Sequence, residues 1–167
     1  MRVTGVICEY NPLHLGHIFH LDRARRETGA DHIIAVMSGD YVQRGGPAII
    51  SKYERALHAL MAGADLVLEL PIYYSTGSLE YFARGSVSLL KETGLVDCIS
   101  FGSECGNISL LNKAARLTSS LTVQMSDQLK GLLAKGVSYS DAYNNVTDLP
   151  DEISDLIRTP NNLLATA

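Results

Sequence analysis

Glu9-Tyr10-Asn11-Pro12-Leu13-His14-Leu15-Gly16-His17 is the stretch on which the reading of this chain turns. Before it lies Val3 to Cys8, a continuous apolar run that reads as a strand covered on both faces. After it, Ile18, Leu21, Ala24 and Arg25 recur at helical spacing, so a helix is expected from about Gly16. A helix that opens directly from a strand end presents unpaired backbone N–H groups, and the positive end of its dipole, to an anion. Gly16 lacks a Cβ, so a ligand can come close to the backbone there. His14 and His17 can donate to phosphate oxygens on which charge is building. One histidine at such a place would be an ordinary cap or surface residue. Two that bracket Leu15-Gly16 at a strand-to-helix turn point to phosphate chemistry.

Working outward, further apolar runs at His32–Met37, Leu66–Leu70 and Cys98–Phe101 alternate with helical patterns over Lys52–Met61 and Leu79–Thr93. Such alternation implies right-handed βαβ crossovers, hence an α/β, Rossmann-like parallel sheet with helices on both faces. Thr28-Gly29-Ala30-Asp31 and Ala62-Gly63-Ala64-Asp65 each look like a helix-ending glycine followed by a short link into the next strand, and Glu92-Thr93-Gly94 repeats the device. After Phe101 the pattern becomes helical. Helices are expected over Ile108–Ser120 and Val123–Lys135, the second ended by Gly136, and after the caps of Ser138-Tyr139-Ser140-Asp141. Thr147–Arg158, with Pro150, reads as a loop or short helix, and Pro160-Asn161-Asn162-Leu163-Leu164 as the start of another. The expectation is one domain, residues 1–167, with an α/β core over about 1–105 and a helical extension over about 106–167.

Hydrophobic residues make up 46% of the 167 and charged residues 19%, which excludes a disordered chain. The net charge of −4 argues against a uniformly basic nucleic-acid surface. No apolar stretch approaches the ~20 residues of a membrane span. The chain enters a strand almost at once, which leaves no room for a signal peptide, so a cytoplasmic location is expected. Cys8, Cys98 and Cys105 are read as buried, reduced thiols, since no C-x-x-C spacing supports a metal site.

The loop Met37 to Pro47 leaves the carboxyl end of the second strand, the edge on which open α/β sheets bind ligands. Ser38, Gly39, Gln43 and Arg44 are therefore candidate substrate or phosphate contacts. Lys52, at the start of the next helix, is another, and Arg55 could reach the same place, although helix-surface charges usually face solvent. Gly102, after the fourth strand, would let an adenine or ribose pack on the backbone. Glu69 is read either as structural or as orienting a partner, and Arg84 either as buried and paired or as a substrate contact. His20, His32 and His58 read as packing or surface residues, and Arg23, Arg25 and Arg26 as a solvated helix face.

The segment Val6 to His17 closely resembles the amino-terminal part of the bacterial tRNA(Met) cytidine acetate ligase family, whose members are HIGH-type nucleotidyltransferases. Further matches follow in order along the chain: Ala35 to Gly39, Gln43-Arg44-Gly45, Pro47-Ala48, Ser51-Lys52, Asp65 to Pro71, Phe82 to Val87, Phe101 to Glu104, Lys135 to Tyr139 and Pro160 to Leu164. The resemblance implies activation of acetate with ATP to acetyl-adenylate, followed by N4-acetylation of the wobble cytidine of elongator tRNA-Met. It implies catalytic roles for His14 and His17. It also implies ATP contacts from Ile7, Cys8, Glu9, Tyr10, Asn11, Pro12, Leu13, His14, Leu15, Gly16, His17, Ile18, Phe19 and His20, and from Gly102 and Asn162. Magnesium is expected to travel with ATP, held by phosphates and water, with no protein metal cage.

The resemblance also implies what lies outside these residues. Family members continue past Pro-Asn-Asn into a serine-rich second phosphate-binding motif that ends in arginine, and then into a further domain. The 167 residues are expected to be a fragment, a natural truncation or a remnant, to bind ATP weakly and to acetylate tRNA-Met little or not at all. Leu163-Leu164 is expected to leave an apolar edge for a second copy or a separate partner. Two rival readings are a catalytically deficient ATP- or RNA-binding module and another small-acceptor nucleotidyltransferase; acetate-dependent pyrophosphate exchange separates the ligase from both.

Overall fold

The computed structural model describes residues 1–118, 123–146 and 149–167. These divide into two compact units, Met1–Phe101 and Gly102–Ala167. The first unit runs β1 (Val3–Cys8), α1 (Leu15–Thr28), β2 (His32–Ser38), α2 (Lys52–Met61), β3 (Leu66–Leu70), α3 (Ile72–Ser75), α4 (Leu79–Glu92) and β4 (Cys98–Ser100). Among the described residues its strands form one parallel sheet in the order β3-β2-β1-β4.

The register sorts the side chains. Val6 lies beside Ala35, and Gly5 beside Ile34 and Ile99. One face thus carries Val6, Ile33, Ala35 and Met37, which pack with Leu21 and Ala24 of α1 and Ala59 of α2. The other face meets α4, whose Leu90 lies against Gly5, while Phe82, Ala83, Ser86 and Leu90 are its buried stripe. Helices on both faces explain why the strands read as unbroken apolar runs.

One device recurs where the strands begin. Asp31, Asp65 and Asp97 each donate a backbone N–H to a neighbouring strand start, at Arg2 O, Ile33 O and Val3 O. Each also accepts on its carboxylate from Arg2 N, Ile33 N or Val3 N, at 2.6, 2.7 and 2.8 Å. The links that feed the strands therefore also set their register. Gly29 and Gly94 end α1 and α4 in the left-handed region, at φ 65° in both.

Several sequence expectations are corrected. Arg25 is not part of a solvated face: its guanidinium donates to Asp31 O (2.6 Å), Gly63 O (2.9 Å) and the Asp65 carboxylate (2.6 Å), joining α1 to both aspartate links. Arg23 and Arg26 do lie on that face, in i,i+4 pairs with Glu27 and Asp22. Helix α3 follows Pro71 where no helix was expected; four residues are too few for periodicity to register. Arg84 is exposed and pairs with Glu80 at 3.5 Å. Cys105 is exposed, whereas Cys8 and Cys98 are part-buried, and all three thiols are free.

The second unit contains α5 (Ile108–Thr118), α6 (Val123–Leu133), α7 (Tyr139–Val146), α8 (Asp151–Leu156) and α9 (Pro160–Thr166). Ser119, Ser120, Thr147 and Asp148, which the sequence reading placed at helix or loop ends, lie outside the described residues. The core is Leu111, Ala114, Leu129, Ala142, Tyr143, Ile153, Leu156 and Ile157. Asn107 caps α5 by accepting from Ser109 N and Leu110 N, both at 3.1 Å. Leu163 and Leu164, where an apolar edge was expected, are half-buried, and Leu163 packs against the unit's own core.

Candidate functional site

The strand order brings the chain back across β1 after β3, so β1 and β4 flank the point where successive connections diverge. In open α/β sheets the ligand crevice lies outside the carboxyl ends of strands at such a point. The H-x-G-H turn leaves β1 there. His20, one helical turn on, meets Ser100 at the end of β4, Nε2 to Oγ 3.2 Å.

Tyr10 makes the turn. Its φ of 47° is left-handed, rare for a residue with a Cβ. Burial of its ring in the core, at 2% exposure, offsets that strain. The Asn11–Pro12 peptide is cis, and Asn11 Oδ1 accepts from Ile49 N at 2.7 Å. The chain then enters α1 through a reciprocal cap built from imidazoles. His14 Nδ1 accepts from Gly16 N at 3.1 Å, and His17 Nδ1 accepts from His14 N at 3.2 Å. The two rings stack at 3.7 Å between centroids, and Tyr10 lies 4.8 Å from His17 on a tilted ring. A Cβ on Gly16 would stand 3.0 Å from His14 Cε1, so the glycine also makes room for the capping ring.

This cap sets the chemistry of both histidines. A ring that accepts on Nδ1 carries its proton on Nε2 when neutral, so each imidazole keeps one N–H donor beyond the cap. Burial, followed by the neighbouring His14 and His20, lowers the pKa of His17 from the ordinary 6.5 to about 4. Burial lowers that of His20 as well. At neutral pH His17 is therefore a neutral donor. Burial pushes the Cys8 thiol up to about 12, which keeps it protonated and unreactive.

The loops at the strand ends are tied together behind this turn. Glu9 Oε1 accepts from Gln43 N at 2.6 Å, joining the ends of β1 and the β2 loop. Arg55, on α2, has no exposed surface. It donates to Glu9 O (2.6 Å), to Ile50 O (3.3 Å) and to Gly39 O. The idea that Arg55 reaches phosphate from a helix surface is thus corrected, because its donors hold backbone carbonyls. Lys52 is engaged too: its ammonium lies 2.8 Å from Glu69 Oε1 and 3.5 Å from Asp40 Oδ2. The hydrogen bond to Glu69 raises its pKa. Glu69 lies across the bare backbone of Gly39, where a Cβ would collide with its carboxylate. Arg44 is exposed and forms no ion pair among the described residues. Ser38 is fully buried, and its hydroxyl has no partner among the described residues.

Gly102 and Asn162 both belong to the second unit. Gly102 is exposed with open space over its Cα. Asn162 is buried. Its Oδ1 accepts from Ser103 Oγ (2.7 Å), Glu104 N (3.1 Å) and Cys105 N (3.4 Å), and its Nδ2 donates to Thr159 Oγ1 (2.7 Å). Glu104 answers by accepting from Asn161 N (3.2 Å) and Asn162 N (2.9 Å). Desolvation works to raise the Glu104 pKa, but these backbone donors prevail and lower it. The loop just after Gly102 is thus held by the Asn161-Asn162 helix start.

Sequence reasoning missed Glu9 and Arg55 as ties and Tyr10 as the residue that bends the chain. Only a tyrosine directly before Asn-Pro hinted at the last.

A turn that follows a parallel strand, caps its helix with two histidines and leaves their outer donors available defines a class: the chain belongs to the HIGH Nucleotidyl Transferase family, whose family model matches residues 1–167. Within that class, a tRNA(Met) cytidine acetate ligase of Clostridium novyi (strain NT) is 44% identical over 168 residues, covering 98% of this chain and 42% of the relative. One from Clostridium tetani (strain Massachusetts / E88) is 47% identical over 142 residues, covering 85% and 35%. Among solved structures, Thermotoga maritima TmcAL bound with alpha-thio ATP superposes with a TM-score of 0.86 at 38% identity, covering 99% of this chain and 42% of that chain. The chain therefore spans about two-fifths of the length of these relatives.

Proposed function

We propose that this chain binds ATP against the His14–His17 turn and takes part in activating acetate to acetyl-adenylate for N4-acetylation of the wobble cytidine of elongator tRNA-Met. The observation that carries the reading is the imidazole cap, which turns both histidines into oriented Nε2–H donors at the crevice beside β1 and β4. Membership of the nucleotidyltransferase family and likeness to a structure bound with alpha-thio ATP support the nucleotide. The names of the curated relatives support the acceptor.

The chemistry asks little of a base. An acetate oxygen attacks the α-phosphorus of ATP, the new P–O bond forms as the bond to pyrophosphate breaks, and no proton moves. Positioning and charge stabilisation carry the step. His17 and His14 donate to phosphate oxygens, and the positive end of the α1 dipole adds to the field. In the second step the cytidine N4 amine attacks the acetyl carbonyl, AMP leaves and the amine loses a proton. Magnesium would ride on the phosphates and water. Among the described residues no group of three or more His, Cys, Asp and Glu side chains is placed to hold a metal ion.

The test is calorimetric titration of the purified chain with ATP, CTP and GTP, followed by acetate-dependent exchange of labelled pyrophosphate into ATP and by N4-acetylcytidine analysis with tRNA-Met. Preference for ATP and acetate-dependent exchange support the ligase reading. Equal affinity for the three nucleotides counts against it, and ATP binding without exchange leaves a binding module. Gly102→Val is expected to weaken ATP binding while leaving the melting transition in place.

A further inference from the structure

We propose that Arg55 is a positioning residue for the nucleotide site: its buried guanidinium pins the segments leaving β1 and β2 to the start of α2, and so holds the His14–His17 turn in its working geometry. The inference rests on the nucleotide reading given above and assigns a role to a residue that touches no ligand.

The bonding pattern carries it. Arg55 is fully buried, yet among the described residues none of its hydrogen bonds goes to a carboxylate. They go to carbonyls of Glu9, Gly39 and Ile50, which belong to separate segments. Glu9 immediately precedes Tyr10, where the chain turns toward His14. Gly39 opens the loop that carries Gln43, itself bonded back to Glu9. Ile50 precedes Ser51, the cap of α2. A planar fork with donors in several directions can hold all of these carbonyls; a single ammonium cannot.

A purely structural role would be filled more cheaply. Burying a cation costs free energy unless it is paired, and an apolar side chain of similar volume is often neutral or stabilising at such a site. Burial lowers the Arg55 pKa, and the nearby carboxylates of Asp40, Glu9 and Glu69 partly oppose that. Keeping a charge here makes sense where loop geometry matters more than stability. The adjacent turn also holds Tyr10 in a left-handed conformation that the surroundings must impose.

The experiment compares the wild-type chain with Arg55→Lys and Arg55→Ala. Each is measured by thermal unfolding, by ATP calorimetry, and by the ring-proton NMR signals of His14 and His17. Expected are cooperative unfolding in Arg55→Lys, displaced His14 and His17 signals, and ATP affinity lower by roughly tenfold or more. In Arg55→Ala, guanidinium ion at low, non-denaturing concentration should restore affinity where equal sodium chloride does not. A folded Arg55→Lys with ATP affinity within about twofold of wild type and unmoved histidine signals would overturn the proposal. So would loss of cooperative unfolding in both variants, which would make Arg55 a determinant of the fold. If the wild-type chain takes up no ATP, the nucleotide reading fails by itself. The histidine signals then decide the positioning role: displaced in Arg55→Lys they support it, and unmoved they overturn it.

Discussion

At the H-x-G-H turn, His14 and His17 each give one ring nitrogen to the backbone and keep the other as a donor. At Asn162 in the second unit, the side-chain oxygen takes donors from Ser103, Glu104 and Cys105, and the amide nitrogen donates to Thr159. Both are polar side chains at a helix start, and both tie a loop. The difference lies in what remains. An imidazole has two well-separated nitrogens, so it can cap and still present chemistry outward. A buried carboxamide whose oxygen is fully committed mainly holds its loop. The first unit thus leaves ring donors available where β1 ends, while the second fixes the shape of the loop that follows Gly102.

The contrast breaks most readily at His17. His17→Ala is expected to slow acetate-dependent pyrophosphate exchange by about 10²–10³-fold, equivalent to about 2.7–4 kcal/mol of transition-state stabilisation, with a small change in melting. His14→Asn sharpens the point, because asparagine also caps a helix but lacks the second ring nitrogen. It should keep the melting temperature and lose exchange. Equal losses of stability and activity would make both histidines simple caps.

Asn162→Ala is expected to do the reverse. It strands the donors of the 103–105 loop and should cost on the order of 1–3 kcal/mol of stability in the second unit. Amide hydrogen exchange at Glu104 and Cys105 reads it directly. Unchanged protection there would show that the loop does not depend on Asn162.

Stability is also expected to depend on pH. His17 has a folded pKa near 4 against an ordinary 6.5. Between those values the unfolded chain binds a proton that the folded chain does not. Stability should therefore be full above about pH 6.5 and fall as the pH drops toward 4. Urea melts across that window should show a slope that His17→Gln flattens. His20, also lowered by burial, adds to the slope in the same direction.

The smallest effect is expected at Arg25→Gln. Its ion pair with Asp65 is more than a third exposed on both sides, so the pair contributes about 1 kcal/mol or less. A larger loss in a denaturant melt would mean that the bonds to Asp31 O and Gly63 O matter more than the ion pair.

Much of this was legible in the linear chain because it is written in local physics. An unbroken apolar run of a few residues bounded by turns reads as a doubly covered strand, and the helix-ending glycines at 29 and 94 are legible because only glycine adopts φ near 65° without cost. The helix over Lys52–Met61 and the strand over Leu66–Leu70 match their expected bounds. The location of the histidine pair at a strand-to-helix turn could be read as well. The sequence did not contain, in any local form, the different fates of Lys52 and Arg55, one turn apart on α2. Lys52 ends among exposed carboxylates, whereas Arg55 is buried against carbonyls 46 and 16 positions away. Arg25 reached the Asp65 link across 40 residues, and Asn162 met its loop across 57 to 59. A charged side chain carries no periodic signal of its own burial. Whether it faces water or holds a backbone carbonyl depends on which distant segments folding brings to it, and only the tertiary structure decides that.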